Sequence, residues 1–322
     1  MTSHVLLTRA LPLASETLAS ALPHAVRTLT GGDQPPTRRA LLEGASGAAA
    51  IIALLTETID DELLDAAGPQ LRIVANVAAG YDNIDVAAAR ARGVVVTNTP
   101  GVLDEATADL AMALILATTR RLVEGDRFIR SGSEWIWGPT SFVGLDISAG
   151  ATLGIVGLGR IGMAVARRAR AFGMRVVASG SRARGPEAVA LGVEPATVDE
   201  VFALADVVTL HCPLTPETRR MVDARRLSTM RTGSYLVNTA RGPLVDEDAV
   251  ADALDGGKLA GAAFDVHEHE PRVNPRLVAS ERAILLPHIG SAGRATRQAM
   301  AQLAVDNVAA VLRGDAPLTP VS

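Results

Sequence analysis

Gly157, Gly159 and Gly162 have the spacing G-x-G-x-x-G in the segment TLGIVGLGRIG, which lies between a short apolar run and a helical pattern. The first glycine of such a loop permits a tight turn, the second lets the backbone approach a pyrophosphate, and the third lets the helix pack closely on the strand. The start of the helix adds unpaired N–H groups and a partial positive charge. The segment therefore predicts a dinucleotide-binding loop, with a purely structural tight turn as the alternative.

The next apolar run, RVVAS, ends at Ser179, after which NAD-binding proteins carry an acid that bonds the adenosine ribose. Gly180 stands at that position, and Ser181, Arg182 and Arg184 follow. A missing acid leaves room for a 2′-phosphate, a hydroxyl can donate a hydrogen bond to it, and guanidinium groups can hold its oxygens. We therefore predict that NADPH (NADP+) is preferred over NADH, with a solvated basic loop as the alternative.

Three later residues, Arg241, Glu270 and His288, each follow a short apolar run, in the segments LVNTARGPLVDEDAV, GAAFDVHEHEP and LLPHIGSA. Open parallel sheets place their ligands at the carboxyl ends of the strands, where these residues are expected. Taken singly, each has a simpler explanation: an exposed arginine, a surface acid and a histidine with satisfied hydrogen bonds. In combination they are candidates for catalysis.

Short apolar runs alternate with helical patterns in two series, which predicts two successive sets of βαβ units. The fold class is therefore α/β, with two Rossmann-like domains (a flavodoxin-like substrate domain and a dinucleotide-binding domain), parallel sheets and a cleft between them. We expect the substrate domain at 1–99 plus 290–322 and the NAD(P)-binding domain at 100–289. The run 104–132 is expected to form one long helix rich enough in apolar residues to supply much of a dimer interface, and the run 293–314 a helix that returns to the first domain.

Composition excludes several classes of protein. Hydrophobic residues make up 48% of the 322 residues and aromatic residues only 3%, so Ala, Val, Leu and Ile must build the core, as in parallel sheets covered by helices. The 31 basic and 35 acidic residues are scattered without a basic stripe, so no nucleic-acid partner is expected. Cys212, the one cysteine, excludes an internal disulfide. With no signal peptide, membrane span or metal-ligand spacing, we expect a soluble cytoplasmic protein without a metal.

Several longer motifs resemble the D-isomer-specific 2-hydroxyacid dehydrogenases over nearly the whole chain: GIVGLGRIG, HCPLTPET, VNTARGPLVDEDAV, GAAFDV…EP and LPHIGSA. Within that family, the segments at 76–86, 94–111 and 134–139 are most similar to those of glyoxylate/hydroxypyruvate reductases. The resemblance implies that His288 is the general acid, that Glu270 orients it and favours its protonated form, and that Arg241 holds the substrate carboxylate and polarises the carbonyl.

The resemblance also implies ligand contacts. The substrate carboxylate would meet backbone N–H groups in the loop formed by Val77, Ala78, Ala79 and Gly80, although the alanines are also compatible with plain core packing. Arg241 and His288 would contact both substrate and cofactor. The remaining cofactor contacts implied are Thr107, Gly157, Leu158, Gly159, Arg160, Ile161, Gly162, Gly180, Ser181, Arg182, Arg184, His211, Cys212, Pro213, Thr218, Thr239, Ala240, Asp265 and Gly290.

Trp137 matches a tryptophan that reaches the substrate from the partner subunit in similar proteins, which implies a homodimer; an ordinary hydrophobic anchor is the alternative. One departure is His267, at a position where relatives usually have an aromatic residue, beside the catalytic segment.

The resemblance implies a reductase of small 2-oxoacids such as glyoxylate and hydroxypyruvate, and the missing ribose acid with the arginines after it predicts that this reductase prefers NADPH. Reduction of a bulkier acid such as 2-ketogluconate is the alternative within enzymes. A nucleotide-sensing corepressor of the kind represented by the C-terminal binding proteins is the alternative from another class, because those proteins retain the same three residues.

Overall fold

The computed structural model describes residues 3–321, and the backbone divides into two compact units. The first comprises Met1–Leu103 and Ser291–Ser322, and the second comprises Asp104–Gly290. Residues 1, 2 and 322, which the expected substrate domain included, lie outside the described residues. The chain therefore leaves the first unit once and returns to it with its last segment. The expected bounds at 99 and 289 lie close to these junctions, at Leu103 and Gly290.

The first unit is a parallel sheet with flanking helices. Its strands are β1 His4–Arg9, β2 Ala25–Thr30, β3 Ala48–Ala53, β4 Ile73–Asn76 and β5 Val95–Thr97. Its helices are α1 Ser15–Ala21, α2 Arg38–Ala45, α3 Asp61–Ala67, α4 Val86–Ala91 and the final helix α13 Arg294–Arg313. The strand order β2-β1-β3-β4-β5 is the flavodoxin-like order. Because β4 and β5 are neighbours, the loops that follow them lie side by side.

The second unit is a larger parallel sheet. Its strands are β6 Thr152–Val156, β7 Arg175–Ser179, β8 Glu194–Pro195, β9 Val207–Leu210, β10 Ser234–Asn238, β11 Leu259–Phe264 and β12 Ala283–Leu285. Its helices are α5 Asp104–Thr119, α6 Leu122–Arg130, α7 Arg160–Ala171, α8 Pro186–Ala190, α9 Val198–Leu204, α10 Ala224–Thr229, α11 Glu247–Asp255 and α12 Pro275–Ala279. The order β12-β11-β10-β9-β6-β7-β8 reverses direction between β6 and β9. This reversal is the switch point at which doubly wound sheets bind ligands. The predicted fold class is confirmed.

Acidic caps and positive-φ glycines explain several helix boundaries. The side chain of Asp60 accepts the N–H of Leu63 at the start of α3, and Asp246 accepts that of Ala249 at the start of α11. Helix α3 ends at Ala67 and is followed by the C-cap Gly68, whose φ of +87° is accessible to glycine but costly for other residues. The acids and glycine in the segment 58–68 therefore set both ends of the helix that its pattern predicts.

Alanines let the helices of the second unit lie close to its sheet. On α7, Ala164, Ala166 and Ala169 are fully buried in the core beside Leu153 and Ile155 of β6. A helix with such small side chains can approach the strands closely, so a tight core forms with few aromatic residues. Among the helices formed by residues 3–321, none is long and apolar enough to cross a membrane.

The expected single helix at 104–132 is wrong: the segment forms two helices. Helix α5 ends at Thr119 and α6 begins at Leu122, because Arg121 between them adopts a left-handed φ of +54°. The apolar residues of α5 are also largely accounted for within their own unit, since Ala108, Ala111, Met112, Leu114 and Ile115 lie in its core. In this part of the chain, the exposed apolar residues that could form an interface are therefore those of α6 and of the segment after it.

The sequence analysis did not predict strand β2. Its sequence AVRTLT has no fully buried residue, because it lies at the edge of the sheet and pairs only with β1. An edge strand of this kind lacks the continuous apolar run that identified its neighbours.

Candidate active site

One row of paired residues marks the carboxyl edge of the second sheet. The row crosses six strands and consists of Ser179, Val156, Leu210, Asn238, Phe264 and Leu285. Each predicted cofactor or catalytic residue between 157 and 290 follows one of these positions in sequence. The parallel pairing therefore gathers them along one edge of one unit.

The glycine loop after β6 has the geometry of a phosphate cradle. Gly157 has φ +97°, and a Cβ there would lie 2.5 Å from the backbone nitrogen of Cys212. A Cβ on Gly162 would lie 2.3 Å from the carbonyl oxygen of Gly157, which shows how closely α7 packs on the loop. A Cβ on Gly159 would meet no atom of residues 3–321 within 4 Å. The first and third glycines thus serve close packing, while the second leaves open space above the helix start.

The free N–H groups of this loop are those of the first helical turn. The Leu158 side chain is buried, and its N–H donates to the carbonyl of Ser179 over 2.9 Å. Gly159 caps α7 without a side-chain hydrogen bond, and the N–H groups of Arg160 and Ile161 at the helix start have no partner among residues 3–321. Such a terminus is a ready anion site because the helix dipole adds positive potential. The residues present therefore fit a dinucleotide pyrophosphate.

The turn after β7 excludes any side chain at the position of the ribose acid. Gly180 has φ +130°, and a Cβ there would lie 2.8 Å from the backbone nitrogen of Leu158. Ser181, Arg182 and Arg184 follow on the surface. Within the described chain no carboxylate pairs with Arg182, whereas the charge of Arg184 contributes to a lowered pKa of Glu200, after the hydrogen bonds of Thr197. An exposed arginine thus remains available beside the turn.

The loop after β9 carries a neutral histidine and an unreactive thiol. Desolvation lowers the pKa of His211 to about 3, and its Nε2 bonds the hydroxyl of Thr209 over 2.9 Å. Burial raises the pKa of the Cys212 thiol to about 11. The Thr218 hydroxyl donates to the carbonyl of Pro213 over 2.8 Å and so closes the turn. These four predicted cofactor residues lie in one compact loop and are themselves uncharged.

The turn after β10 is shaped by Asn238, a residue that sequence analysis missed. Its Nδ2 donates to the Arg241 carbonyl over 2.8 Å, and its Oδ1 accepts the N–H of Ala240 over 3.0 Å. The hydroxyl of Thr239 lies 3.4 Å from Nδ1 of His211, which links this turn to the previous loop. Arg241 follows, half-buried and extended, with Nη1 donating to the Ala240 carbonyl over 2.8 Å. An asparagine that bonds backbone two and three residues on is a recognisable turn signal in sequence.

Glu270 and His288 form a hydrogen-bonded pair. The Nδ1 of His288 lies 3.1 Å from Oε2 of Glu270, with the two side chains 25% and 32% exposed. Burial acts to raise the pKa of Glu270, but the hydrogen bond and charge of His288, aided by the His267 N–H, outweigh it and hold that pKa below its ordinary value. The carboxylate is therefore ionised and accepts, so Nδ1 donates and Nε2 is left for another partner.

The backbone at His288 is unusual and is held by Asp265. His288 has φ +56°, a left-handed conformation that is uncommon for residues other than glycine. Its N–H donates to the Asp265 carbonyl over 2.8 Å, and the Asp265 carboxylate accepts the N–H groups of Ile289 and Gly290, each over 2.7 Å. Burial raises the pKa of Asp265 despite these bonds. A Cβ on Gly290 would lie 3.0 Å from that carboxylate and 3.5 Å from Thr107, so all three predicted cofactor residues lie together.

The predicted substrate loop of the first unit presents free N–H groups. The carbonyls of Ala78, Ala79 and Gly80 accept hydrogen bonds from the Thr99 N–H, the Asn98 amide and the Asn76 amide, over 2.8, 2.6 and 2.8 Å. None of the hydrogen bonds formed by residues 3–321 uses the N–H groups of Ala78, Ala79 or Gly80. The N–H of Val77, by contrast, donates to the Ala53 carbonyl over 2.8 Å. Because the carbonyls of Ala78, Ala79 and Gly80 already accept hydrogen bonds while the N–H groups of these three residues donate none within the described chain, the loop is suited to bind an anion.

Trp137 lies in an apolar surface segment after α6. It is 78% exposed, and Ile136 and Trp135 beside it are 92% and 62% exposed. Helix α6 itself has no buried residue in the single chain. No other part of the described chain therefore shields the apolar side chains of Trp135, Ile136 and Trp137 from solvent.

Comparison with known proteins gives consistent matches. The family model "D-isomer specific 2-hydroxyacid dehydrogenase, NAD binding domain" matches residues 112–290. A glyoxylate reductase of Thermococcus kodakarensis is 49% identical over 291 residues, which cover 88% of this chain and 86% of that protein.

Two solved structures are similar along almost the full length. The TT0316 protein of Thermus thermophilus has a TM-score of 0.91 and 46% identity, covering 99% of this chain and 100% of that one. The NADPH-dependent glyoxylate/hydroxypyruvate reductase of Sinorhizobium meliloti, solved in complex with NADP and malonate, has a TM-score of 0.83 and 34% identity, covering 100% of this chain and 97% of that one.

Proposed function

Because this chain belongs to the D-isomer-specific 2-hydroxyacid dehydrogenase family and is an NAD(P)-dependent oxidoreductase, we propose that it reduces glyoxylate and hydroxypyruvate to the 2-hydroxyacids. NADPH is the preferred reductant, and the D-isomer forms where a stereocentre arises. The observation that carries the proposal is the hydrogen bond between His288 and Glu270, which leaves Nε2 of His288 available for a proton transfer at the carboxyl edge of the dinucleotide-binding sheet.

The nicotinamide, when bound, supplies the hydride for the carbonyl carbon. The protein must then stabilise and protonate the carbonyl oxygen, which gains negative charge in the transition state. The protonated Nε2 of His288 gives its proton to that oxygen, while the Glu270 carboxylate fixes the ring and stabilises the imidazolium. The guanidinium of Arg241 holds the substrate carboxylate and polarises the carbonyl, since its charge is permanent.

The chain's own groups would hold the dinucleotide as follows. The unpaired N–H groups of Arg160 and Ile161 bind the pyrophosphate at the start of α7. The loops at His211–Pro213 and Thr239–Ala240 would contact the nucleotide, and Asp265, Thr107 and Gly290 would contact its nicotinamide part.

The NADPH preference rests on the turn after β7. Gly180 cannot carry the ribose acid, and Arg182 has no carboxylate partner among the described residues. Ser181, Arg182 and Arg184 would bind the 2′-phosphate through one hydroxyl and two guanidinium groups. The Sinorhizobium relative, described as NADPH-dependent and solved with NADP, supports this assignment.

The loop Val77–Gly80 would receive the substrate carboxylate on the free N–H groups of Ala78, Ala79 and Gly80. No acceptor among residues 3–321 competes for these N–H groups, so a carboxylate would gain hydrogen bonds at little cost in reorganisation.

The protein would act as a homodimer whose interface includes α6 and the segment Trp135–Trp137. Large exposed apolar side chains favour a protein interface over solvent. Trp137 would reach the substrate of the partner subunit. Multi-angle light scattering of Ile136→Asp tests this directly, because a charge in the interface should convert dimer to monomer, whereas a monomeric wild-type protein would refute it.

Steady-state kinetics with glyoxylate, hydroxypyruvate, pyruvate and 2-ketogluconate, each with NADPH and NADH, tests the proposed reaction. We expect the highest kcat/KM for glyoxylate or hydroxypyruvate with NADPH. A higher value for 2-ketogluconate would move the assignment to a bulkier substrate, and failure to reduce all four would refute it.

A further inference from the structure

The imidazole of His267 is buried beside the candidate active site, with 6% of the residue exposed. Its Nε2 lies 2.9 Å from the carbonyl oxygen of Leu286. Because a carbonyl oxygen only accepts, Nε2 carries the proton and donates it to this bond. Leu286 lies two residues before His288, so the bond ties His267 to the segment that carries His288.

The backbone of His267 makes a second link. Its N–H donates to Oε1 of Glu270 over 3.1 Å, while Oε2 of the same carboxylate accepts from Nδ1 of His288. Together with the bond from His267 to Leu286, these contacts form a closed network that links His267, Glu270, His288 and Leu286. The orientation of the Glu270 carboxylate thus depends on the same residue that anchors the His288 segment.

A third contact reaches the segment of Arg241. A Cβ added to Gly242 would lie 1.9 Å from the carbonyl carbon of His267 and 2.0 Å from its oxygen, so the two backbones touch. Gly242 follows Arg241 directly. His267 is therefore in contact with the segments that carry all three residues of the proposed reaction.

Among the described residues, the ring of His267 makes a hydrogen bond through Nε2 alone. Nδ1 of His267 has no hydrogen-bond partner within residues 3–321. The nearest acid, Glu247, places Oε1 3.9 Å away, beyond hydrogen-bond range, and instead accepts the N–H of Glu268 over 2.9 Å. A phenyl ring in place of the imidazole would therefore remove one donor while keeping most of the buried volume.

We propose that His267 is a positioning residue. Its bond to the Leu286 carbonyl holds the Glu270–His288 pair in place, while its backbone packs against the turn after Arg241. The inference rests on the reductase function proposed above. It concerns geometry alone, since the ring of His267 does not contact the reacting atoms in this assignment.

The test compares His267→Phe, which removes the Nε2 donor, with His267→Gln, whose amide can donate to the same carbonyl. For His267→Phe we expect kcat for glyoxylate reduction to fall about tenfold, because small misplacement of an acid is costly. KM for NADPH should change by less than about twofold. The solvent deuterium isotope effect on kcat should rise, since proton transfer becomes more rate-limiting. His267→Gln should recover most of the kcat.

His269→Phe is the matched control, because it makes the same substitution two residues along on an exposed side chain. A second readout does not need turnover: in protein labelled with ¹⁵N-histidine, the His288 Nδ1–H should exchange with solvent faster in His267→Phe than in wild type. If His267→Phe does not fold, His267→Met replaces it in every comparison.

The outcomes separate the two proposals. A wild-type protein that reduces no 2-oxoacid refutes the function, and the exchange rate then still decides the role of His267. Unchanged kcat, isotope effect and exchange in His267→Phe would overturn the positioning role, as would an equal loss in His267→Gln or in His269→Phe.

Discussion

Nδ1 of His288 donates a hydrogen bond to the Glu270 carboxylate over 3.1 Å. Glu270→Gln keeps the size of the side chain but removes the charge that stabilises the imidazolium. We expect kcat for glyoxylate reduction to fall about 10²-fold, within the range for general acid catalysis. Affinity for NADPH should be nearly unchanged, as measured by fluorescence titration.

Glu268→Gln provides the control for that experiment. Glu268 lies two residues earlier on the same segment, and its carboxylate pairs with Arg220 over 3.0 Å. Neutralising it should leave kcat within about twofold of wild type. Equal losses in the two variants would mean that general damage to the segment, and not the His288 pair, explains the result.

The same pair predicts a pH dependence of stability. The pKa of Glu270 is held below its ordinary value of 4.5, so the ionised form stabilises the folded chain. This stabilisation by the ionised carboxylate is complete above pH 4.5. It is lost as the pH falls through the lower pKa that Glu270 has in the folded chain. The free energy of unfolding of wild type should therefore exceed that of Glu270→Gln near neutral pH, and the difference should shrink in acid. Urea titrations at several pH values measure it, and a difference that grows in acid would contradict the assignment.

Arg182→Ala should weaken the use of NADPH specifically. Loss of one charge-assisted hydrogen bond to a phosphate is worth about 1.5–3 kcal/mol, so KM for NADPH should rise at least about tenfold. KM for NADH should stay within about twofold, because no 2′-phosphate is present. Arg225→Ala, on an exposed arginine of α10, is the control. Parallel changes for both cofactors would indicate a structural effect.

Gly180→Asp, which introduces an acid at the ribose position, should not convert the protein to NADH. A Cβ there lies 2.8 Å from the nitrogen of Leu158 and requires φ +130°. We expect a loss of about 1–3 kcal/mol in the free energy of unfolding and weaker binding of both cofactors. Gly257→Asp shares a positive φ but meets nothing within 4 Å, so it should cost less. A stable Gly180→Asp protein that prefers NADH would show that the loop rearranges.

Sequence patterns predicted which strand ends the candidate residues follow, because strand ends and motif residues coincide. The apolar runs predicted that RVVAS ends at Ser179 and that Arg241, Glu270 and His288 follow strand ends, and the parallel register brings those ends to one edge. The break at Arg121 was missed because a left-handed residue inside a continuous helical pattern leaves no trace in apolar spacing. The edge strand β2 was missed because its residues do not form a continuous apolar run.

The supporting contacts were harder to predict. Asn238 shapes the Arg241 turn through local bonds, but the sequence analysis singled out the arginine and not the asparagine. The bond from His267 to Leu286 joins residues on different loops, so only the folded chain reveals it. Pairings of this kind depend on loop conformation, which hydrophobic periodicity does not encode.

Asn98→Ala should weaken substrate binding through the loop of the first unit. The Asn98 amide donates to the Ala79 carbonyl over 2.6 Å and so keeps the neighbouring N–H groups turned outward. Loss of one such bond costs about 0.5–1.5 kcal/mol, which would raise KM for glyoxylate up to about tenfold while kcat changes less. Asn274→Ala, which removes the side-chain cap of α12 in the other unit, is the control. If KM for glyoxylate is unchanged in Asn98→Ala, the loop does not receive the carboxylate through N–H groups that depend on this bond.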